Sequence, residues 1–485
     1  MFLDFRREDA GASFETAVAV IGSGPAGLTI ARELAAAGID VILIESGGFD
    51  GDAATQALYD GDNAGVPHEA FDAVRMRFFG GSSNCWGGGC IPFENHDFEK
   101  RDWIPHSGWP ITRRDLDPFY ERALPVCGTG PYLYDDSVWS RVGQTPTDFD
   151  RERVRYCYWQ LSAPLRFGEA YRADAEKAPS LKVLLNANAT RIALNADGSQ
   201  VEAIEIKSLS GHTGSVRARH FVVACGGIEN ARLMLASNDR MPAGAGNGHD
   251  AVGRYFMEHP YSTAGLAIAK PTDFLPTKPK SSNGLQFRFG LTTAPQVQAR
   301  EMVYSAAVVF DLGEQRGDLF KTGGQLFPSA PEGYVRYSFV SQSEQSPKPE
   351  SRVTLSSRRD ALGNHLPRVD WRMDATDKRS IEVLMKMIGL EFARLGLGRV
   401  KLADWILDTA ALWGVVANVH HMGTTRMGDD PKTSVVDKHC RVHGIANLHI
   451  AGSSVFVTSS YANPTLTIVA LALRLADQLK TALAK

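Results

Sequence analysis

Two hydrophobic rhythms divide this chain. From Ala17 to Ser46 the run AVAVIGSGPAGLTIARELAAAGIDVILIES places the β-formers Val18, Val20 and Ile21 before a glycine turn. A helical stretch from Leu28 to Ala37 follows, closed by Gly38, and then an apolar strand from Val41 to Ile44. Leu181 to Leu194 reads as one or two strands and Ala203 to Lys207 as another. His220 to Gly227 reads as a buried strand ending in a glycine turn, with a helix over Ile228 to Ser237. Between about Thr263 and Ser357 the rhythm changes to alternation, in GLQFRFGLTT, MVYSAAVVF, YVRYSFV and SRVTLSS, which predicts a mostly antiparallel sheet. Arg379 to Leu395 predicts an amphipathic helix, and Asn447 to Leu479 returns to strand, loop and helix. Asp50 to Ala70, rich in Gly, Asp and Ala, predicts a surface loop. The expected organisation is α/β. One discontinuous Rossmann-like nucleotide domain (1–95, 180–262 and 435–485) surrounds an α+β substrate domain and covering segments (96–179 and 263–434).

Composition narrows this only a little. The 485 residues suffice for two or more domains. Hydrophobic content of 44% and charged content of 22% are ordinary for a globular chain. A net charge of −3 gives no basic field for nucleic acid. No apolar run reaches membrane-spanning length and no export segment stands at the start, so the cytoplasm is the expected compartment. Six scattered cysteines give neither a disulfide framework nor a paired metal motif. His439 and His443 flank Cys440 with spacing that would suit a helix, but they fall in a predicted strand and turn, so no metal is expected.

The chemistry begins at the turn. Gly22, Gly24 and Gly27 supply G-x-G-x-x-G, with Pro25 and Ala26 opening the helix. Gly22 permits the tight turn, Gly24 admits a pyrophosphate to the backbone, and Gly27 allows close helix–strand packing. Glu45, 23 residues beyond Gly22 and next to Ser46, is placed to accept from a ribose. The motif alone does not separate FAD from NAD. A second glycine-dense segment, RMRFFGGSSNCWGGGCIPF from Arg75 to Phe93, suggests backbone pressed against a ligand.

Taken together, these stretches resemble the glucose–methanol–choline (GMC) oxidoreductase family. GSGPAGLTIARELAAAG, VILIESG, GGSSNCWGGG, VVACGGIENARLML, VGRYFMEHP, HHMGTTRMG, NLHIAGSSVF and ANPTLTIVALALRLAD carry the resemblance. Within the family, HHMGTTRMG and NPTLT are most similar to pyranose oxidases and bacterial glycoside 3-oxidases or 3-dehydrogenases. The resemblance implies FAD, a nucleotide domain of the glutathione-reductase type, and oxidation of an alcohol carbon, here a secondary alcohol of a sugar or glycoside. A hydride acceptor, flavin N5, must stand beside the C–H and a base beside the O–H. Histidine suits the second role at neutral pH.

The family pattern aligns the base with His420 and leaves His421 for packing. Asn463 matches the second active-site position. Asn463-Pro464 also makes a good helix start with Asn as cap, so the two roles compete. The helix from Thr465 would aim its positive end at the flavin. The resemblance implies cofactor contacts from Gly80, Ser82, Ser83, Asn84, Cys85, Gly87, Gly88, Gly89, Thr190, Ala224, Gly226, Gly452, Ser453, Pro464 and Thr465, besides the first turn, Glu45 and Ser46. Pyranose oxidases often bind FAD through a histidine in the flavin loop. SSNCWGG has none, so noncovalent FAD is expected, with Cys85 near that position. Asn418, Tyr461 and Gln345, from the polar run Gln342 to Gln345, are the substrate candidates, and His259 reads as a structural residue at a domain junction. The electron acceptor is left open between oxygen, a quinone and a redox protein. Open alternatives are a sterol, aliphatic or aromatic alcohol as substrate, and a lyase of the same fold with structural FAD.

Overall fold

The computed structural model describes residues 1–163, 165–270, 276–312, 330–408 and 413–484. Val18 to Ile21 and Val41 to Ile44 are buried, as strands covered on both faces must be. The strand Ala12–Ile21 lies between Val41–Ile44 and Thr213–Val223, parallel to both. Leu181–Leu185 and Phe2–Asp4 extend this sheet in parallel, and Leu448–Ile450 pairs with the end of Thr213–Val223. Val201–Lys207 and Asn188–Leu194 add an antiparallel hairpin. The helices Pro25–Ala36 and Thr465–Leu483 bury Leu28, Ile30, Leu34, Leu466, Val469 and Leu473 in the same core.

The second sheet is antiparallel throughout. Its path runs Gly398–Leu402, Pro260–Ala269, Val335–Ser343, Ala306–Leu312, Leu285–Thr293, Val154–Leu161 and Gly89–Cys90. Alternation assigns its faces. Ala306, Val308 and Phe310 pack with Phe339 against Ile381, Leu384, Ile388 and Phe392 of the helix Ala375–Arg394, so Ala307 and Val309 look the other way.

Two expectations require correction. SRVTLSS does not join this sheet. Arg352–Arg359 pairs with His365–Trp371 in a separate three-stranded sheet, whose third member is Asp62–Gly65. That third strand lies within Asp50 to Ala70, which also holds the short helix Ala53–Gln56, so the segment is not merely a loop. Its pairing partner is some 300 residues away, and no local pattern encodes it. Val154–Leu161 is a further strand that the sequence reading did not identify.

A buried ionic knot ties the small sheet to the nucleotide core. Glu229, on the helix Gly226–Ala236, meets Arg75 at 2.9 Å, Arg232 at 3.1 Å and Arg77 at 3.6 Å. Arg232 also reaches Asp360 at 2.6 Å and donates to the His365 and Leu58 carbonyls. Burial alone would raise the Glu229 carboxyl, but the Arg232, Arg75 and Arg77 guanidinium groups outweigh it and hold it at about 2. A carboxyl depressed below its ordinary 4.5 stabilises the fold above that pH, and the contribution is lost as pH falls toward 2. Glu229→Gln should therefore cost about 3 kcal/mol at neutral pH, because it leaves buried cations without their partner. In denaturant titrations the gap between wild type and variant should narrow as pH falls through this window. A gap that stays constant into strong acid would mean that charge pairing is not its source.

Candidate active site

A cavity of about 740 Å³ opens between the two large sheets. The glycine turn forms its floor. Gly22 has φ +99°, and a Cβ there would sit 2.6 Å from the Ala224 carbonyl oxygen. A Cβ on Gly27 would sit 1.8 Å from the Gly22 oxygen, so the helix can pack onto its strand only without a side chain. At Gly24 the same construction meets open space, leaving bare backbone beside the cavity. Three helices, Pro25–Ala36, Gly226–Ala236 and Thr465–Leu483, begin at the cavity wall. Their positive ends and free first-turn N–H groups favour an anionic ligand. Glu45 is buried there. One carboxylate oxygen accepts from the Ser23 amide at 3.2 Å and hydroxyl at 2.5 Å, and the other from the Gly47 amide at 2.9 Å. These groups fit FAD: turn and helix ends for the pyrophosphate, Glu45 for the ribose.

Gly22, Gly24, Pro25, Ala26, Glu45, Ser46, Ser82, Ser83, Cys85, Gly87, Gly88, Gly89, Ala224, Gly226, Gly452, Ser453, Pro464 and Thr465 all border the cavity. Four expected contacts do not. Gly27 serves the packing just described. Gly80, at φ +98°, packs against Gly168, where a Cβ would lie 2.5 Å from the amide nitrogen. Asn84 turns back to donate to the Phe79 carbonyl at 3.0 Å. Thr190 donates to the Glu205 carbonyl at 3.3 Å, and its strand presents Ala189 to the cavity instead.

The opposite wall is one face of the antiparallel sheet: Trp159, Arg288, Ala307, Val309, Val340 and Gln342, joined by Tyr261 and Asn418. Gln342, not Gln345, is the residue of the polar run that faces inward. It lies on the Val340 side of its strand, donates to the Tyr461 carbonyl at 2.5 Å and accepts from Asn418. Gln345 lies past the strand end, with its oxygen taken by the Glu258 amide and the Trp371 indole, both at 2.8 Å, and its nitrogen by the Arg372 carbonyl at 3.0 Å. Glu344 pairs with Arg101 at 2.6 Å. Tyr461 is also removed from the substrate set: its hydroxyl donates to Glu94 at 3.0 Å.

His420 and Asn463 meet where the two walls join. Val419, a β-branched residue at φ +60°, precedes His420, an uncommon conformation that a packed site must impose. Asn463 is not a cap. The helix has Pro464 at its N-cap with no side-chain capping bond. The Asn463 oxygen accepts from the Trp159 indole at 2.8 Å and from Gln342 at 3.4 Å. Its nitrogen is thereby turned toward His420 Nε2, 3.4 Å away.

His259 is the residue that the sequence reading undervalued. Its Nδ1 lies 2.9 Å from His420 Nδ1, and its Nε2 lies 3.1 Å from the Ser459 carbonyl. A carbonyl only accepts, so His259 Nε2 carries the proton and, in a neutral ring, Nδ1 accepts. The bond between the rings then requires a proton on His420 Nδ1. His420 Nε2 then carries no proton, and its lone pair faces the Asn463 amide. Burial holds the His259 imidazole down at about 4 and His420 well below the usual imidazole range, so both rings are neutral at pH 7. Glu258 completes the frame, accepting from the His420 amide at 2.8 Å and the His259 amide at 3.2 Å. The only sequence cue to this relay was a histidine following an acid in MEHP; the 161 residues to His420 hid the contact.

His439 and His443 do not converge on a site. His443 Nε2 lies 3.0 Å from the Ser434 hydroxyl and 3.1 Å from the Gly428 carbonyl. Among the described residues, no helix is long and apolar enough to cross a membrane.

Known proteins resemble this chain over most of its length. A family model described as GMC oxidoreductase matches residues 347–472, and one described as FAD dependent oxidoreductase matches residues 17–245. Paromamine 6'-oxidase of Streptomyces fradiae is 25% identical, over 94% of this chain and 90% of its own. C-glycoside 3-oxidase of Microbacterium trichothecenolyticum is 25% identical, over 88% of this chain and 79% of its own. The crystal structure of pyridoxine 4-oxidase from Mesorbium loti superposes with a TM-score of 0.61 at 19% identity, covering 96% of this chain and 99% of that one.

Glu45→Ala should weaken FAD retention during gel filtration far more than it disturbs folding. Each hydrogen bond lost from a charged acceptor is worth about 1.5–3 kcal/mol. Full flavin occupancy in that variant would place the acid off the ribose.

Proposed function

We propose that this chain, which belongs to the GMC oxidoreductase family and is an FAD-dependent enzyme, oxidises a secondary hydroxyl of a sugar or glycoside to a ketone. The observation that carries the reading is the unprotonated His420 Nε2 beside the Asn463 amide, at the edge of a cavity fitted for FAD. FAD bound in this cavity supplies the acceptor for the hydride that leaves the alcohol carbon. His420 Nε2 takes the hydroxyl proton. Asn463 donates to the substrate oxygen and stabilises the negative charge that builds there. Trp159 and Gln342 fix the direction of that amide, and His259 fixes the tautomer of the base.

The names of the relatives support a glycoside, as in the C-glycoside 3-oxidase. The sheet wall supports it too, since Arg288, Gln342, Asn418 and Tyr261 give it the polar character that suits a polyhydroxylated ligand. FAD is held without a covalent bond, because the flavin loop carries Cys85 and no histidine. The deciding experiment is anaerobic mixing with a panel of glycosides, free sugars and simple alcohols. Flavin bleaching by a glycoside supports the reading, bleaching only by non-sugar alcohols changes the substrate class, and turnover without bleaching indicates the lyase. Repeating the panel with oxygen, a quinone dye and a cytochrome identifies the acceptor.

His420→Ala should slow anaerobic flavin reduction by about 10²–10⁴-fold, the usual range for loss of a general base. His259→Ala acts through the base and should cost about 10–100-fold, as loss of an orienting partner commonly does. A His259 effect larger than that of His420 would overturn the relay.

Asn463→Asp keeps an oxygen for Trp159 and Gln342 but replaces the donor with a carboxylate facing the developing alkoxide. Flavin reduction should slow sharply while thermal stability stays near wild type. Normal reduction rates in this variant would remove Asn463 from the reaction.

A further inference from the structure

Behind the relay, away from the bond between the histidine rings, three donor atoms converge. His68 Nε2 lies 3.2 Å from Glu258 Oε1, His421 Nε2 lies 3.3 Å from that oxygen, and the two imidazole nitrogens lie 3.3 Å apart. The His68 and Glu258 side chains are wholly buried and that of His421 is 7% exposed. Aromatic rings close around them: Phe71 is 4.9 Å and Trp371 6.0 Å from the His68 ring, and Phe256 is 5.9 Å from that of His421.

These three groups are placed to act together as ligands. His68 Nδ1 donates to the Glu69 carbonyl at 2.9 Å, so in the neutral ring Nε2 is bare. Glu258 Oε2 is already occupied by the His420 and His259 amides, which leaves Oε1 to face the two imidazoles. With His421 Nε2 also unprotonated, three lone pairs converge on one centre. A cation at the centre relieves all three and neutralises the buried carboxylate. The Arg75 guanidinium is turned away, donating to Glu229 and to the Phe71 and Tyr59 carbonyls.

The spacing identifies the ion class. Bonds of about 2.0–2.1 Å in a tetrahedral site separate nitrogen and oxygen ligands by about 3.3–3.4 Å, close to the three distances seen here. The Glu69 carbonyl supplies the partner that orients the metal-binding tautomer of His68. We propose that His68, Glu258 and His421 bind a divalent transition ion of the zinc class. Three protein donors leave one tetrahedral position for a non-protein ligand. The ion stays redox-inert and ties together three segments: the loop after Asp62–Gly65, the residue pair entering Pro260–Ala269, and the turn that carries His420. The proposal is independent of the redox reaction and departs from the expectation of no metal drawn from sequence.

The test is metal analysis of the FAD-loaded protein, purified without an affinity metal and exchanged after incubation with Zn²⁺. About one zinc per chain is expected, with X-ray absorption fine structure showing nitrogen and oxygen donors near 2.0–2.1 Å and no sulfur. His68→Ala and Glu258→Gln should each weaken retention about tenfold or more against a competing chelator. Sulfur in the zinc shell would move the ion to a cysteine and overturn the assignment, even if the variants fail to fold. So would wild-type protein that retains no zinc after exchange, or folded variants that hold zinc as tightly as wild type.

Discussion

A carbonyl oxygen can accept a hydrogen bond but never donate one, and the chemistry of this site descends from where Ser459 places its carbonyl. That oxygen fixes the proton on the far side of His259, which fixes the proton on the near side of His420, which bares the nitrogen facing the cavity. Neither ring needs to be charged at any link. Burial would make a charged ring expensive and here serves the same end, because it keeps both imidazoles neutral and the terminal one free of a proton.

The relay depends on backbone held where it would not rest alone. Val419 at φ +60° directly precedes His420, Ser460 at φ +52° stands shortly before Asn463, and neither is glycine. The strain is offset by a ribbon of main-chain bonds: Met422 to Met257 in both directions, Thr425 to Ser454, and Met427 to Val455. Glu258 adds side-chain bonds to two successive parts of the relay. The turn that carries His420 is thus clamped between the segment entering Pro260–Ala269 and the loop that follows Leu448–Ile450, so the two large sheets meet beside it.

What could be read directly from sequence was what local chemistry dictates. The glycines at 22, 24 and 27 follow from a turn whose physical requirement is met within a few residues, the acid at 45 from its place in the same strand–turn–helix–strand unit, and His420 and Asn463 from the family resemblance. What could not be read was set across distance. Gln342 and Gln345 differ by three positions in one polar run, and only the end of the strand at Ser343 decides which faces the cavity. Thr190 and Ala189 differ by one position, and the pleat sends one inward and the other away. Asn463 resembled a helix cap because Asn-Pro is a good cap sequence. Trp159, from a strand that was not anticipated, claims its oxygen instead.

The cavity's two walls are built differently, and that difference bears on how such a protein can change over generations. The cofactor wall consists of turns where an added carbon meets backbone, as at Gly22 and Gly27, so nearly any drift there is punished. The opposite wall is the face of regular strands, whose alternate residues can be exchanged while the ladder and the helix behind it stay intact. Arg288, Ala307, Val309 and Val340 sit on that tolerant surface, clear of the relay. A lineage can therefore explore new alcohols by rewriting one sheet face while inheriting its redox apparatus unaltered.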